Sequence, residues 1–291
     1  MTTLFNQYSE LEIEAERRFL QFFDPYFFVR ALLQFQTPLG TEFLDELFEQ
    51  DDDAEYRDYL TDHVERFEAT RSAAARYFRY LNSETFVVLV CSGHPTGPTP
   101  KALSHLYPAE LETVFQQLAL AKVPETPFFK GKKLPTGFEE WFALNIALGA
   151  QFPELSEYRE LFVAEANLLA NRQVVSSFKH GRALQPVVGD AWKITRLGSD
   201  ESIMQPMTSA VQWIHMPKGR KQEEKKLLEH GFEETDFRSD LKAVVQVAHV
   251  MDLIRKMRLQ LLNGSMELDV FLPRVVKSSQ KPQRVVVKVT S

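Results

Sequence analysis

The chain has 291 residues, 44% of them hydrophobic and 25% charged, with a net charge of −6. That is the balance of an ordinary globular protein, long enough for one large domain or two modest ones. The single cysteine, Cys91, excludes an intramolecular disulfide and any cysteine-cluster metal site, which fits a reducing compartment.

Met1 to Arg18 is acidic and lacks a continuous apolar stretch, so no secretory signal is expected there. No apolar run is long enough to span a bilayer, and the expected location is cytoplasmic, with no membrane partner. Twenty-three Phe at helix-like spacings predict an aromatic-rich core.

Helix signals dominate the first 180 residues. Ser9 can cap a helix whose apolar members Leu11, Ala15, Phe19 and Phe22 follow the 3.6-residue period. Asp24-Pro25 opens a second helix carrying Phe28, Leu32 and Phe35, with Pro25 in a tolerated first-turn position. Thr37 to Gly40 ends it, and a short helix around Phe43, Leu44 and Leu47 follows.

The carboxylates of Asp51, Asp52 and Asp53 suit the positive end of the next helix and read as a cap rather than a metal site. That helix is expected over Ala54 to Leu81, burying Tyr56, Leu60, Val64, Phe67, Ala74, Phe78 and Leu81. Thr85 to Val90 suits either a strand or a buried helical turn. Gly93 to Pro100 is a loop without a phosphate-cradling glycine pattern. Helices resume near Pro108–Leu120 and Phe138–Leu148, joined by an irregular segment that carries Lys130, Lys132 and Lys133.

A long helix is expected from Ser156 to His180, with Leu161, Ala164, Leu168, Val175 and Phe178 on its buried side and Gly181 as C-cap. Ala191–Leu197 and Ala210–Met216 then read as strands. A charged helical stretch, Arg220–His230, leads to a strong helix from Asp236 to Leu262, where His249 lies on or beside the packed face. Leu268–Val276 and Arg284–Thr290 read as a C-terminal β-hairpin, with Pro273 placing part of it at an edge. The expected fold is a mainly α helical bundle with a small β insertion and that hairpin. Residues 1–150 form an N-terminal helical region and 151–291 a second region, or the two make one continuous domain.

Charge is unevenly spread. Residues 1–70 hold seventeen Asp/Glu against five Arg and no Lys, whereas residues 270–291 hold five cations and no acid. Either the ends are solvated faces that can pair with each other, or the basic tail meets phosphate or an acidic partner.

Several catalytic templates are missing: there is no His-Glu-x-x-His, no Gly-x-Ser-x-Gly and no Gly-x-Gly-x-x-Gly. Cys91, behind an apolar run, reads as a buried thiol rather than as a nucleophile served by His94. The best candidate is the helix end from Arg172 through His180 to Arg182. Lys179 and His180 suit the negative end of a helix, a histidine is the residue type suited to proton transfer near neutral pH, and Arg172 and Arg182 can hold a phosphate. Capping alone would select the same residue types.

The string Phe178-Lys179-His180-Gly181-Arg182, closing a long helix and followed by two strands and another long helix, resembles uncharacterised bacterial relatives of the HEPN superfamily over about residues 156–264. The resemblance implies a helical bundle acting on RNA, as a metal-independent endoribonuclease of toxin or phage-defence type or a catalytically degenerate form, and as a homodimer. It implies no cofactor or metal. His180 and Arg172 would be catalytic, and Lys179 and Arg182 would bind RNA phosphate.

The superfamily pattern is an Arg followed, after four to six intervening residues, by a His on the same helix. Here seven residues separate Arg172 from His180, which leaves them about 80° apart around the helix, and Ser176 stands where related strings carry Asn. A second candidate pair, Arg57 and His63, has five intervening residues and a polar Asp58 after the Arg, but its acidic surroundings repel RNA. The alternative to an RNA-directed effector is a non-catalytic helical scaffold or regulatory subunit that binds a protein partner.

Overall fold

The computed structural model describes residues 8–35, 54–93, 99, 108–125, 135–146, 154–170, 185–188, 209–215, 227–263 and 284–290. Within these the chain is mainly helical with a small antiparallel sheet, as the sequence predicts. The helices are α1 (Glu10–Phe22), α2 (Phe27–Leu33), α3 (Ala54–Cys91), α4 (Pro108–Ala119), α5 (Phe138–Asn145), α6 (Leu155–Ala170) and α7 (Phe237–Leu262). The strands are β1 (Gln185–Val188), β2 (Ser209–His215), β3 (Leu227–Glu234) and β4 (Arg284–Thr290).

Two compact units are built from interleaved segments. The first takes Met1–Val29, Arg79–Arg172 and Lys242–Lys277; the second takes Arg30–Phe78, Gln173–Leu241 and Ser278–Ser291.

In the first unit, α1 opens with a capping box. The Glu12 amide donates to Ser9 Oγ at 3.3 Å and the Ser9 amide donates to Glu12 Oε2 at 3.0 Å, satisfying two amides a helix start leaves over. The expected buried face of α1 is corrected. Leu11 and Phe22 are 83% and 78% exposed and Ala15 is exposed, while Leu20 and Glu16 are buried. The reason is polar: the Glu16 carboxylate accepts from Thr99 N at 2.5 Å and from Thr99 Oγ1 at 2.8 Å, which turns that side inward.

The core of this unit is aromatic. Phe162 of α6 meets Phe86 edge-on at 5.5 Å and Phe142 at 5.1 Å, with Trp141 at 6.2 Å. All four side chains are fully excluded from water, each contributing about 1.5–3 kcal/mol of transfer energy. Thr85–Val90 is helical and extends α3 to Cys91, ten residues beyond the expected end. Phe86, Val87, Leu89 and Val90 are buried around the helix, and burial on several sides erases the period that would have declared it.

In the second unit the four strands form one antiparallel sheet in the order β1-β2-β3-β4. Leu227–His230, expected at the end of a charged helix, belongs to β3 instead. It pairs with β4 throughout and from Glu229 onward with β2 as well, His230 lying opposite Ile214 and Val287, so tertiary pairing overrides local propensity. The first strand is Gln185–Val188, earlier than expected, and Ala191–Leu197 lies outside the described residues. Arg284–Thr290 is the expected C-terminal strand and pairs with β3, while Leu268–Val276 and the short helix around Phe43 lie outside the described residues.

Along α3, the expected core positions Phe67, Ala74 and Phe78 are half-buried, whereas Ala69, Ser72, Ala75 and Arg76 are buried. A buried arginine at the centre of that face displaces the apolar stripe. Asp236 opens α7, its carboxylate accepting from the Arg238 amide at 2.9 Å.

Candidate functional site

Arg172, Lys179, His180 and Arg182 lie outside the described residues, and α6 is described to Ala170. Arg57 and His63 both lie on α3, of which only the backbone is described there. Six helical steps put them about 120° apart around its axis. Cys91 is fully buried and burial pushes its thiol pKa up, so it is held as the inert neutral form. Among the described residues no group of His, Cys, Asp and Glu could hold a metal ion. Among them, too, no helix is long and apolar enough to cross a membrane.

Three arginines are drawn into buried ionic clusters. In the first unit Arg258, 3% exposed, donates to Leu89 O at 3.1 Å, Asn145 O at 2.6 Å and Thr99 Oγ1 at 3.2 Å. Burial lowers its pKa while the charges of Glu16 and Tyr8 oppose that shift. The group therefore gathers the ends of α3 and α5 onto α7. Arg79 pairs with Glu165 at 3.0 Å, and Ser83 Oγ also donates to Glu165. In the second unit Arg76 sits between Glu233 of β3 and Asp240 of α7, with Asp240 at 2.9 Å and both carboxylates fully buried. Beside it, Arg71 lies 4.4 Å from the centre of the Phe237 ring. These groups fasten elements within each unit.

A different arrangement reaches solvent at His249 in the first unit. The rings of Tyr26 and His249 meet edge to face at 5.6 Å. Near them Asp252 accepts from Arg255 Nη2 at 2.8 Å and Lys256 Nζ at 2.8 Å, one carboxylate against two cations. Burial alone would raise the Asp252 pKa, but the hydrogen bonds from Lys256 and Arg255 outweigh it and hold the carboxyl below its ordinary value. Tyr26 is raised, first by burial and then by the Asp252 charge, with Lys256 and Arg255 pulling against them.

His249 is exposed, more so than its expected position beside the packed face. Between residues 242 and 262 the exposed positions of α7 are Lys242, His249 and Lys256 alone. The seven-residue spacing of this line is visible in the sequence. Its significance emerges only once Val244, Val247, Ala248, Met251, Ile254 and Met257 are seen buried around it.

Comparison of the chain with protein-family models, curated proteins and solved structures finds no match.

Proposed function

We propose that the chain is an RNA-directed effector of the HEPN-like kind, an endoribonuclease or a form that has kept RNA binding after losing catalysis. The observation behind this reading is the order of elements around the Lys179-His180-Gly181 string: α6 precedes it, β1, β2 and β3 follow, one strand more than the expected pair, and α7 comes after them. In this reading His180 moves the proton at the scissile phosphate and Arg172 stabilises its developing charge, while Lys179 and Arg182 hold flanking phosphates. The chemistry needs no metal, and a second copy of the chain is the expected partner.

Incubation of the purified, folded protein with tRNA and total RNA in the presence of a chelator tests it. Cleavage that is lost in His180→Ala supports the enzyme and its site. Intact RNA counts against the enzyme, and cleavage that survives His180→Ala counts against the site.

A second reading, a non-catalytic scaffold or regulatory subunit, is favoured by one observation. Leu11, Ala15 and Phe22 form an exposed apolar line on α1, within about 40° of one another around the helix. Light scattering on the wild-type chain and on Leu11→Asp tests this: an assembly that dissociates in the variant supports the scaffold, and a monomer in both cases argues against it.

A further inference from the structure

We propose that the solvent-facing line of α7, with Tyr26 and Phe27 beside it, is a binding surface for single-stranded RNA. The ligand class rests on the RNA-directed reading above, while the place rests on residues remote in sequence from His180.

Charge and shape argue together. Helix α7 is enclosed by core over most of its circumference, and what it leaves to solvent from residue 242 to 262 is Lys242, His249 and Lys256. Seven-residue steps set them about 10.5 Å apart, a line of about 21 Å along one helix face. Arg255 adds a further cation. Asp252 offsets one of the pair it binds, so Lys242 and the cluster at 252–256 together retain two positive charges. Asp24, whose carboxylate accepts from the Tyr26 amide at 3.1 Å, leaves the surface as a whole one net positive charge in a chain of net charge −6, a balance that suits a polyphosphate backbone.

The second half of the argument is aromatic. The contact between Tyr26 and His249 brings the start of α2 onto this face. The next residue, Phe27, is 59% exposed, and its ring is braced edge-on by Phe28 at 5.1 Å. An exposed, braced ring next in the chain to Tyr26, which itself meets the line at His249, offers a base a stacking platform while the backbone follows the charges, which suits unpaired rather than duplex RNA.

Fluorescence anisotropy of a labelled oligouridylate tests this with the full chain, in wild-type and His180→Ala backgrounds, across a salt series. Lys242→Gln combined with Lys256→Gln should weaken binding about tenfold at 0.1 M salt and reduce the log–log salt slope by about 1.4. Phe27→Ala should weaken binding about fivefold with little change in slope. Lys122→Gln, an exposed lysine elsewhere in the first unit, should change neither. Thermal melts confirm that these surface variants remain folded.

Unaltered affinity in the double variant overturns the surface and leaves RNA binding to another site. Displacement of RNA by polyglutamate as effectively as by unlabelled RNA overturns the ligand assignment in favour of an acidic protein. If the wild-type chain binds no oligouridylate the surface falls, and the cleavage assay then decides separately whether the RNA-directed reading falls with it.

Discussion

Arg76 Nε lies 2.9 Å from an Asp240 carboxylate oxygen, although 164 residues separate the two in the chain and both are shut off from water. The same guanidinium binds Glu233 on β3, so one side chain holds a helix, a strand and the start of another helix. Arg76→Met would remove the guanidinium that pairs with two buried carboxylates. Urea unfolding should show a loss of about 3–5 kcal/mol, the range for breaking a buried pair from one side. A loss below 1 kcal/mol would mean that water reaches the cluster.

Gly93 occupies a position with no room for a side chain. A Cβ there would lie 2.6 Å from Asn145 O and 2.8 Å from both Asn145 Cα and Arg258 Nη2. Two of these neighbours are backbone, and Arg258 is fixed by its own three acceptors. Gly93→Ala is expected to cost about 1–3 kcal/mol, read as a lowered thermal midpoint. An unchanged midpoint would show that the start of this loop yields.

Asp252 links stability to acid. Its folded pKa is below its ordinary value of 3.8, so the stability it contributes is present above that value and lost as pH falls through the lower folded value. Asp252→Asn should therefore be less stable than wild type at pH 7, and the two should converge as pH falls through the lowered folded value. A gap between them that stays constant from pH 7 to pH 2 would assign the effect to packing instead.

Cys91 should be silent in the native state. It is fully buried and its thiol is raised by burial, so an aromatic disulfide reagent at pH 8 should find no thiol until the protein is unfolded, when the chain's single cysteine reacts. Fast native labelling would place the end of α3 in an opening equilibrium.

Local signals were legible where neighbours in sequence decide the structure. The Ser9 cap and the starts of α4, α5 and α7 near Pro108, Phe138 and Asp236 are decided by near neighbours in the chain, and the structure places them as the sequence predicts. Burial was harder to read. The apolar line Leu11, Ala15 and Phe22 looked like a core face and is exposed, because Glu16, two helix turns before Phe23, is recruited inward by Thr99. The proposed catalytic string at Arg172–Arg182 remains a reading of residues alone, whereas the α7 surface needed the burial of its other faces to stand out.

By itself, then, the sequence determined that this is a mainly helical chain with a small sheet, because helical periodicity, caps and β-branched runs act over a few residues. The tertiary structure alone decided that Leu227–Glu234 is a strand, that α3 runs on to Cys91, and that Arg76 and Arg258 are buried. Each of these depends on partners far away along the chain. Strand pairing on two sides, apolar burial on all sides and a carboxylate or carbonyl at the right distance are properties of the folded neighbourhood, to which no window of local sequence has access.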